Sequence, residues 1–402
     1  MHIILAVEEL NAIHGGVERT VVNLANYFSG HGFRVTILTF EQPDSGVPVY
    51  PLSGNVERYY LGLISGRNNN SEKTRRDKLK KILPAVITEI IRNILAMKRM
   101  LSVRRTEIPM LMAAFKELKP DIVISFKTHF HRYIVPAAYK SGIPVIASDH
   151  NPPDILYYHY VSSIDRLVIW NCLRSANAIR VLLESFKKGY PTSLADKCIT
   201  IPNGIELPEE VANLEDEENG KNLIVNVGRL YFQKDQLTLI RAFALIADRY
   251  PEWYVEIYGD GNLKELLQDS IIKYNLEERV FLKGSEQNIM AVYLRSKIFA
   301  LPSLFEGFGN VTLEAMACGL PVVAFDDVDA NRQLVKNDVN GVLVSACDRV
   351  SSFAQGLERL MLDESLRIRL GENSRELAKQ YEKNKIMAQW RELVEKLAVK
   401  SI

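Results

Sequence analysis

Two glutamates, Glu306 and Glu314, stand where two carboxylates could do chemistry together. They lie eight positions apart, flanking a glycine-rich turn at residues 307–310 and the first turns of a helical pattern. Glycine lets the backbone approach a ligand closely, Asn310 is a good helix N-cap, and the free amides at a helix start attract anions. We predict that both carboxylates converge on one polyhydroxylated ligand. The plainer alternative is a surface turn with two solvated glutamates.

A pair of cations follows a predicted strand at residues 223–227. Arg229 and Lys234 lie on the loop that leaves this strand, directly after Gly228. A planar guanidinium and a compact ammonium can together neutralise a diphosphate. The pair therefore points to a ligand that carries phosphates, and the alternative is an ordinary surface salt bridge to Asp235.

Paired glycines, Gly15 and Gly16, follow the first predicted strand and precede a helical pattern, which suits an anion. A dinucleotide site is an alternative, with Glu41 at the end of the second strand as the ribose-binding acid. The Gly-x-Gly-x-x-Gly motif of such sites is absent, and His14-Gly15-Gly16 does not fit it. A dinucleotide site is therefore disfavoured.

Three histidines each follow a predicted strand: His129, His131 and His150. Their spacing, with Asp149 beside His150, is not that of a known metal motif. Contact with a sugar or an acceptor, or handling of a proton, is the expected role, and structural hydrogen bonding is the alternative. A serine hydrolase is disfavoured because no Gly-x-Ser-x-Gly elbow occurs.

The elements that position these residues follow from the hydrophobic pattern. Short apolar runs alternate with longer amphipathic runs, which is typical of strand–helix units and a parallel sheet. We predict an α/β fold with two doubly wound parallel sheets. The strands are expected at residues 3–7, 35–40, 122–126, 145–148, 179–182 and 198–201, and then at 223–227, 253–258, 280–283, 298–301, 321–325 and 341–344. Ligands of such sheets bind at the carboxyl ends of the strands, which is where the residues above lie.

The domain boundary is expected just after Pro202-Asn203-Gly204. Residues 208–219 hold six acids, which is typical of a solvated linker or a long loop. We therefore predict an amino-terminal domain at residues 1–205 and a carboxy-terminal domain at 206–375. Residues 376–402 are helical in pattern, and their apolar stripe around Trp390 can pack on either domain.

Composition limits the class of protein further. The 402 residues carry 50 basic and 49 acidic side chains and are 47% hydrophobic, which disfavours disordered, collagen-like and nucleic-acid-coating chains. The four cysteines are scattered without a C-x-x-C pair, which indicates a reducing, cytoplasmic compartment. The apolar start is short for a signal peptide and no run of 18 apolar residues occurs, so we expect neither export nor a membrane span.

The near-neutral charge conceals a basic segment at residues 67–105, with twelve Lys or Arg against three acids. Apolar residues from Leu79 to Leu101 recur on one helical face, and Pro84 is expected to mark a kink or the start of the main helix. Five cations are expected largely off that face: Lys80, Lys81, Arg92, Lys98 and Arg99. The segment predicts peripheral attachment to an anionic membrane surface, and packing of the stripe on a sheet is the alternative.

Four motifs together resemble retaining glycosyltransferases of family four. They are Gly15-Gly16-x-Glu18-Arg19, Val227-Gly228-Arg229 with Lys234-Asp235, Gly259-Asp260-Gly261, and Glu306-Gly-Phe-Gly-x4-Glu314-Ala-Met-Ala-x-Gly-x-Pro-Val. The resemblance covers nearly the whole chain. It implies the GT-B fold, with two Rossmann-like domains facing across a cleft. It also implies a donor nucleotide on the carboxy-terminal domain, an acceptor on the other, and a final helix that returns to the first domain.

The resemblance also implies roles for single residues. Glu314 would bind the donor ribose, Arg229 and Lys234 the diphosphate, and Glu306 the transferred sugar. The residues implied to line the donor are Gly15, Gly16, Gly228, Gly259, Gly307, Phe308, Gly309, Asn310 and Val311. The functional histidine would be His150 or His129, with His131 competing. Asp149-His150-Asn151 is most similar to enzymes that act on polyprenyl-diphosphate-linked sugars.

The predicted function is retaining transfer of a sugar from a nucleotide-diphosphate sugar, a UDP-sugar rather than a GDP-sugar. The acceptor would be a lipid-linked sugar or a growing glycan in surface polysaccharide or glycoconjugate assembly, at the inner face of the cytoplasmic membrane. No metal is expected, because no Asp-x-Asp on a strand-end loop is positioned to hold a divalent ion on the diphosphate, and Arg229, Lys234 and a helix start can substitute for one. No cofactor and no nucleic-acid partner are expected either. The alternatives are a nucleotide-sugar epimerase or hydrolase, an NAD-dependent dehydrogenase and a non-enzymatic membrane scaffold.

Overall fold

The computed structural model describes residues 1–11, 15–63, 85–157, 161–215 and 222–399. Contacts within the chain divide it into two units. The first comprises Met1–Pro202 together with Met387–Ile402, and the second comprises Asn203–Ile386. Each unit has its own parallel sheet and its own buried core.

The first unit holds seven parallel strands in the order β3-β2-β1-β4-β5-β6-β7. They are β1 (His2–Ala6), β2 (Arg34–Thr39), β3 (Glu57–Tyr60), β4 (Ile122–Phe126), β5 (Val145–Ser148), β6 (Ala178–Val181) and β7 (Cys198–Thr200). The central strands are unbroken buried runs, as expected of a parallel sheet. The sequence pattern misses β3, because this edge strand reads Glu-Arg-Tyr-Tyr and is only half-buried, without apolar alternation.

The helices of the first unit that precede its carboxy-terminal segment are α1 (Gly16–Gly30), α2 (Ala85–Arg105), α3 (Glu107–Leu118), α4 (His131–Lys140), α5 (Pro153–Ile155), α6 (Ser163–Leu173) and α7 (Thr192–Ala195). Short 3-10 turns lie at Thr128–Phe130 and Glu184–Gly189. Residues 64–84, which include Lys80, Lys81 and Pro84, lie outside the described part of the chain.

Helix α2 turns its apolar face outward. Ile90 and Ile94 are each about half exposed, as are their neighbours along the same face, Ile87, Ile91, Leu95, Met97 and Leu101. At 100° per residue Lys98 falls on this face as well, so the expectation that it lies off the stripe is wrong. The opposite side of α2 faces the unit, with Ala96 and Val103 buried. None of the described helices is long and apolar enough to cross a membrane.

The second unit holds six parallel strands in the order β10-β9-β8-β11-β12-β13. They are β8 (Asn222–Val227), β9 (Trp253–Tyr258), β10 (Val280–Gly284), β11 (Ile298–Leu301), β12 (Val322–Phe325) and β13 (Gly341–Val344). All six coincide with predicted strands to within a residue. The predicted pair of Rossmann-like sheets is thereby confirmed.

The helices of the second unit are α8 (Gln236–Ala244), α9 (Lys264–Lys273), α10 (Ile289–Leu294), α11 (Asn310–Ala317), α12 (Asp329–Leu334), α13 (Arg349–Leu362) and α14 (Glu364–Ala378). Short 3-10 turns lie at Phe232–Lys234, Ala247–Arg249 and Lys379–Tyr381. The core is formed by aromatic and aliphatic side chains of these helices and of the sheet, among them the fully buried Phe243, Trp253 and Phe353.

The final helix, α15 (Lys383–Val399), begins in the second unit and belongs to the first unit from Met387 onward. Its apolar stripe is buried there, and Trp390 is only 1% exposed. The guanidinium of Arg180, on β6, lies 5.3 Å from the centroid of the Trp390 ring. The buried Trp390 side chain thus anchors the last part of α15 to the first unit.

The described part of the acid-rich segment, residues 208–215, is a loop, as one of the two predicted alternatives had it, but it is not fully solvated. Ala212 and Leu214 are buried, and the amide of Ala212 donates to the carbonyl of Cys318. Lys297 donates from Nζ to the carbonyls of Asn213 and Glu215. Lys297 binds backbone carbonyls, which are present whatever the local acid content, so the segment up to residue 215 packs on the second unit.

Candidate active site

The order of strands in the second sheet reverses between β8 and β11. The chain runs outward from β8 through β9 to β10 and then returns to place β11 on the other side of β8. Such a switch point opens a crevice at the carboxyl ends of the two central strands. The loops that leave β8 and β11 are the ones that carry the predicted cations and the predicted glutamates.

Lys234 and Glu306 meet at this switch point. The ammonium Nζ of Lys234 lies 2.6 Å from Oε1 of Glu306, and both side chains are largely buried. The aliphatic part of Lys234 lies over Gly228, where an added Cβ would sit 3.2 Å from it. A residue larger than glycine at position 228 would therefore crowd Lys234.

The two loops are also joined through their backbones. The amide of Leu304 donates to the carbonyl of Gln233 over 2.8 Å, and the side-chain amide of Gln233 donates to the carbonyl of Phe305 over 2.8 Å. These bonds fix the spacing of the stretches on which Lys234 and Glu306 sit. The ion pair therefore lies between two loops that are hydrogen-bonded to each other.

The glycine turn differs from the prediction in one detail. Gly309, with φ of +85°, occupies the N-cap position of α11, and Asn310 is the first helical residue. Only glycine adopts this backbone conformation freely, which explains the glycine. Oδ1 of Asn310 accepts a hydrogen bond of 2.8 Å from the side chain of Asn203 instead of capping the helix. Phe308 is buried edge-on against Tyr381, with ring centroids 5.5 Å apart.

Glu314 lies one turn further along α11 and is 6% exposed. The hydroxyl of Tyr293, a fully buried residue of α10, donates to Oε2 of Glu314 over 3.2 Å. Tyr293 was not predicted, because nothing in its local sequence distinguishes it from a core aromatic. Val311, in the first turn of the same helix, is half-buried.

The loop that leaves β9 carries Gly259, at a position where only glycine fits. It has φ of +133°, and a Cβ there would lie 2.2 Å from the carbonyl oxygen of Gly228. The turn at 259–261 thus packs directly under the loop that carries Arg229 and Lys234. Arg229 itself is exposed, with its guanidinium 5.5 Å from the centroid of Tyr231. The structure brings Lys234 and Glu306 together and places Arg229 at the rim.

One Asp-x-Asp sequence lies on the loop that follows β12. Asp327-Val328-Asp329 begins two residues after Phe325, the last residue of that strand. Asp327 lies 3.3 Å from a guanidinium nitrogen of Arg349, and Asp329 pairs with Arg332. In the described part of the chain, no group of three His, Cys, Asp or Glu side chains is arranged to hold a metal ion.

In the first unit, α1 begins at Gly16 with the extended Gly15 as its N-cap residue. His14, the preceding residue of the motif, lies outside the described residues. Glu18 in the first turn is buried, and its Oε1 lies 2.7 Å from Nζ of Lys127. Lys127 follows β4 in a left-handed conformation, φ +67°, which is uncommon for a lysine and which no sequence signal revealed.

Glu41, the acid of the dinucleotide alternative, is engaged within the fold. It is 5% exposed, and its Oε1 accepts a 2.9 Å hydrogen bond from the amide of Asn11. Arg58 lies 3.7 Å from its other oxygen. Glu41 thus has structural partners where a ribose-binding acid would have to face a ligand.

The three histidines have different surroundings. His131 is fully buried and bonds Oγ of Ser125 and Oδ1 of Asp149 with its two ring nitrogens, which is a structural role. His129 is half exposed and lies 2.7 Å from Oε2 of Glu8. His150 is 8% exposed at the carboxyl end of β5, 3.1 Å from Oγ of Ser148.

Asp149 is the centre of a buried polar network. It accepts hydrogen bonds from Thr128 and His131 on one oxygen and from Tyr157 and Tyr190 on the other. Burial opposes the charge, but these donors hold the pKa of Asp149 below its ordinary value. Because Asp149 directly precedes His150, the network holds the backbone from which the His150 side chain extends.

His150 is kept neutral by its surroundings. Burial, and next the charge of Arg180, lower its pKa well below the ordinary value. Arg180 is itself fully buried, and burial lowers its pKa to about 9, so it stays positive at neutral pH. A neutral imidazole offers one donor and one acceptor rather than a charge.

Both units match known protein families, and the whole chain is similar in structure to known proteins. The model described as Glycosyltransferase Family 4 matches residues 14–208, and the model described as Glycosyl transferases group 1 matches residues 209–377. In structure, the chain is similar to sucrose-phosphate synthase from Thermosynechococcus elongatus, with a TM-score of 0.76, 18% identity and 99% of each chain covered. The Anabaena protein HepE in complex with UDP-glucose is similar with a TM-score of 0.70 and 18% identity, covering 99% of this chain and 100% of that one. The fold is GT-B.

Two sequence relatives come from Campylobacter jejuni. One is named GalNAc-α-(1→4)-GalNAc-α-(1→3)-diNAcBac-PP-undecaprenol α-1,4-N-acetyl-D-galactosaminyltransferase and is 25% identical over 98% of both chains. The other is named N-acetylgalactosamine-N,N′-diacetylbacillosaminyl-diphospho-undecaprenol 4-α-N-acetylgalactosaminyltransferase and is 36% identical over 47% of this chain and 51% of its own length. The chain belongs to the glycosyltransferases that combine a Family 4 amino-terminal domain with a group 1 carboxy-terminal domain.

Proposed function

We propose that this glycosyltransferase moves a sugar from a nucleotide-diphosphate sugar to a sugar carried on a polyprenyl diphosphate, with retention of anomeric configuration. The observation that carries the proposal is the Lys234–Glu306 pair at the switch point of the second sheet. A cation suited to a diphosphate lies beside a carboxylate suited to sugar hydroxyls. The pair therefore matches the two sides of the bond that must break.

The donor part rests on the second unit. Glu314, held by Tyr293, is suited to accept hydrogen bonds from ribose hydroxyls, and Lys234 and Arg229 are suited to the diphosphate. Positive charge on these residues and at the start of α11 would stabilise the leaving diphosphate, so we expect transfer without a divalent ion. A UDP-sugar is the donor we propose, and the similarity to a GT-B protein solved with UDP-glucose supports it.

The acceptor part rests on the first unit and on the relatives. Both Campylobacter jejuni relatives are named for acceptors linked to undecaprenol through a diphosphate. Neutral His150, at the carboxyl end of β5, is the residue we assign to contact with a sugar hydroxyl, and the exposed His129 is the second candidate. Retention would follow from displacement on the same face of the donor sugar, without a protein nucleophile.

A transfer assay tests the proposal. Purified protein is incubated with UDP-glucose, UDP-N-acetylgalactosamine or GDP-mannose, each with and without a polyprenyl-diphosphate-linked oligosaccharide. The proposal predicts a lengthened lipid-linked product with one UDP-sugar, carrying the anomeric configuration of the donor by NMR. Release of free sugar or an epimer from donor alone, at the same rate with or without acceptor, would support the hydrolase or epimerase alternative instead.

We further propose that α2 attaches the first unit to an anionic membrane surface at the inner face of the cytoplasmic membrane. The helix is held from the side that faces the unit, where Ala96 and Val103 are buried and Oδ1 of Asn93 accepts a 3.1 Å bond from the amide of Ile164 at the start of α6. Its outward face combines exposed isoleucines with Lys98 and Arg105. Shallow insertion of the apolar face with contact of the cations to lipid phosphates fits this arrangement, and each near-surface cation contributes about 1 kcal/mol.

Vesicle flotation tests this attachment. Binding should require anionic lipid, weaken with salt, and fall when Lys98 and Arg105 are changed to Glu or Ile91 and Ile94 to Asn. Lys116→Glu on α3 with Lys119→Glu at its C-cap is a matched control, because it makes the same charge change at exposed positions elsewhere in the first unit. Equal binding of all three variants would contradict the proposal.

A further inference from the structure

Arg349 joins three loops of the second unit. It is the first residue of α13, and its side chain is about four-fifths buried. Nη2 donates to the carbonyls of Pro302 and Ser303, at 2.7 and 3.3 Å, on the loop that leaves β11. Nε donates to Oδ2 of Asp235 over 3.3 Å, on the loop that leaves β8. Nη1 reaches Asp327, after β12, over 3.3 Å.

The guanidinium is also held by stacking. Its central carbon lies 3.6 Å from the centroid of the Phe325 ring. Stacking on Phe325 and donation from all three nitrogens restrict the Arg349 side chain to one conformation. An exposed ion pair between flexible side chains is not restricted in this way. Arg349 therefore transmits the position of α13 to the loops that it contacts.

Asp235 is the contact that matters most for Lys234, its direct neighbour. Asp235 has φ of +47°, and its Oδ2 accepts from both Thr238 Oγ1 and Arg349 Nε. A left-handed aspartate is tolerated but less favourable than glycine, so these two bonds hold a backbone turn that would otherwise relax. That turn aims Lys234 at Glu306.

The contact on the other loop lies close to Glu306. Ser303 precedes Glu306 by three residues, and Leu304 between them donates its amide to Gln233. The Arg349 guanidinium thus contacts the loops that leave β8 and β11 close to the hydrogen bond between Leu304 and Gln233 that joins them. A shift of about 1 Å between reacting groups can cost about 100-fold in rate.

We propose that Arg349 is a positioning residue for sugar transfer, which sets the spacing of the loops that carry Lys234 and Glu306. The inference rests on the proposed function, since it assumes that these two residues serve the transfer. It adds a residue that touches neither the donor nor the acceptor. Its effect should appear in turnover more than in donor affinity, because misplaced groups still bind but align poorly in the transition state.

The test compares Arg349→Lys, Arg349→Gln and Asp235→Asn with the wild-type enzyme. Lysine keeps the charge but cannot make the forked contacts, so it should not rescue. Asparagine keeps a side chain that tolerates the left-handed turn but removes the charge that Arg349 binds. Both Arg349 variants should lower kcat about 10- to 100-fold with less than a threefold change in donor KM, and Asp235→Asn should act in the same direction. Arg359→Gln is the matched control, because Arg359 forms an exposed pair with Asp338.

Hydrogen exchange provides a readout that does not depend on activity. The amide of Leu304 should exchange faster in the Arg349 and Asp235 variants than in wild type and in Arg359→Gln, because its bond to Gln233 loosens. An inactive wild type would count against the proposed function, while faster exchange at Leu304 would still support the loop-positioning part of the inference. Wild-type kcat and wild-type exchange in folded Arg349→Lys and Asp235→Asn would overturn it. If Arg349→Gln fails to fold, Asp235→Asn decides.

Discussion

Nζ of Lys234 lies 2.6 Å from Oε1 of Glu306, although the residues are 72 positions apart. Sequence reasoning assigns the first to a diphosphate and the second to a sugar, as separate groups. In the fold each neutralises the other, with 13% of the Lys234 side chain and 7% of that of Glu306 exposed. A donor that engages both must therefore share or divide an existing ion pair.

Breaking this pair on one side should destabilise the protein. Lys234→Met leaves the Glu306 carboxylate buried without its cation, and a buried charge that loses its partner costs about 3 kcal/mol. The double variant Lys234→Met with Glu306→Gln should recover at least half of that loss but no transfer activity. Thermal midpoints and kcat/KM of the two single variants and the double variant test this. Additive losses of stability in the double variant would contradict the coupling.

Glu314 and Glu306 should differ in kinetics. Glu314→Ala should weaken UDP binding, because the ribose is a spectator, and Glu306→Ala should mainly lower kcat, because the sugar beside it changes in the transition state. Tyr293→Phe removes one hydrogen bond to Glu314 and should weaken UDP binding about threefold to tenfold. Calorimetric Kd and steady-state kinetics are the measurements. Wild-type kcat/KM in both glutamate variants would mean that neither residue serves the donor.

Arg229 should matter although it lies at the rim. Arg229→Ala should cost roughly 2 to 4 kcal/mol of transition-state stabilisation if its guanidinium faces the leaving diphosphate. Arg241→Ala, an exposed arginine on α8, is the control and should keep wild-type kinetics. Transfer should also persist in EDTA. Activity lost in EDTA and restored by magnesium or manganese would show that cations of the chain do not replace a metal.

Stability should fall in acid because of His150. Its pKa in the fold lies well below the ordinary value of 6.5, through burial and then Arg180, with Asp149, His131 and Lys127 as the other ionisable neighbours. The unfolded chain therefore binds a proton near pH 6.5 that the folded chain refuses, and the free energy of unfolding decreases as the pH drops through this range.

Denaturation midpoints at about pH 7.5, 6.5 and 5.5 measure this effect. His150→Gln removes the proton that only the unfolded chain accepts, so its loss of stability in acid should be smaller than that of wild type. His2, whose pKa is also lowered by burial, contributes equally to both proteins. His129→Gln, at a half-exposed position, is the control, and an identical acid profile for all three proteins would contradict the assignment.

The sequence by itself determined the strands and the loops that leave them. Twelve of the thirteen strands in the described part of the chain follow from apolar runs, since strands buried on both faces are mostly apolar. The edge strand β3 did not follow, because a half-exposed strand carries no such signal. The start of α11 was predicted from its glycine-rich turn, but the N-cap residue is Gly309 and not the predicted Asn310.

Only the tertiary structure decided which of those loops meet. The Lys234–Glu306 contact exists because β11 lies beside β8, and strand order is set by long-range packing that no local pattern records. The same holds for Arg349, which bonds a loop 114 residues away. It also holds for α2, whose apolar stripe faces outward where the pattern alone allowed a core helix as well. Periodicity reports that a face is apolar, whereas only the folded neighbours determine whether that face is covered.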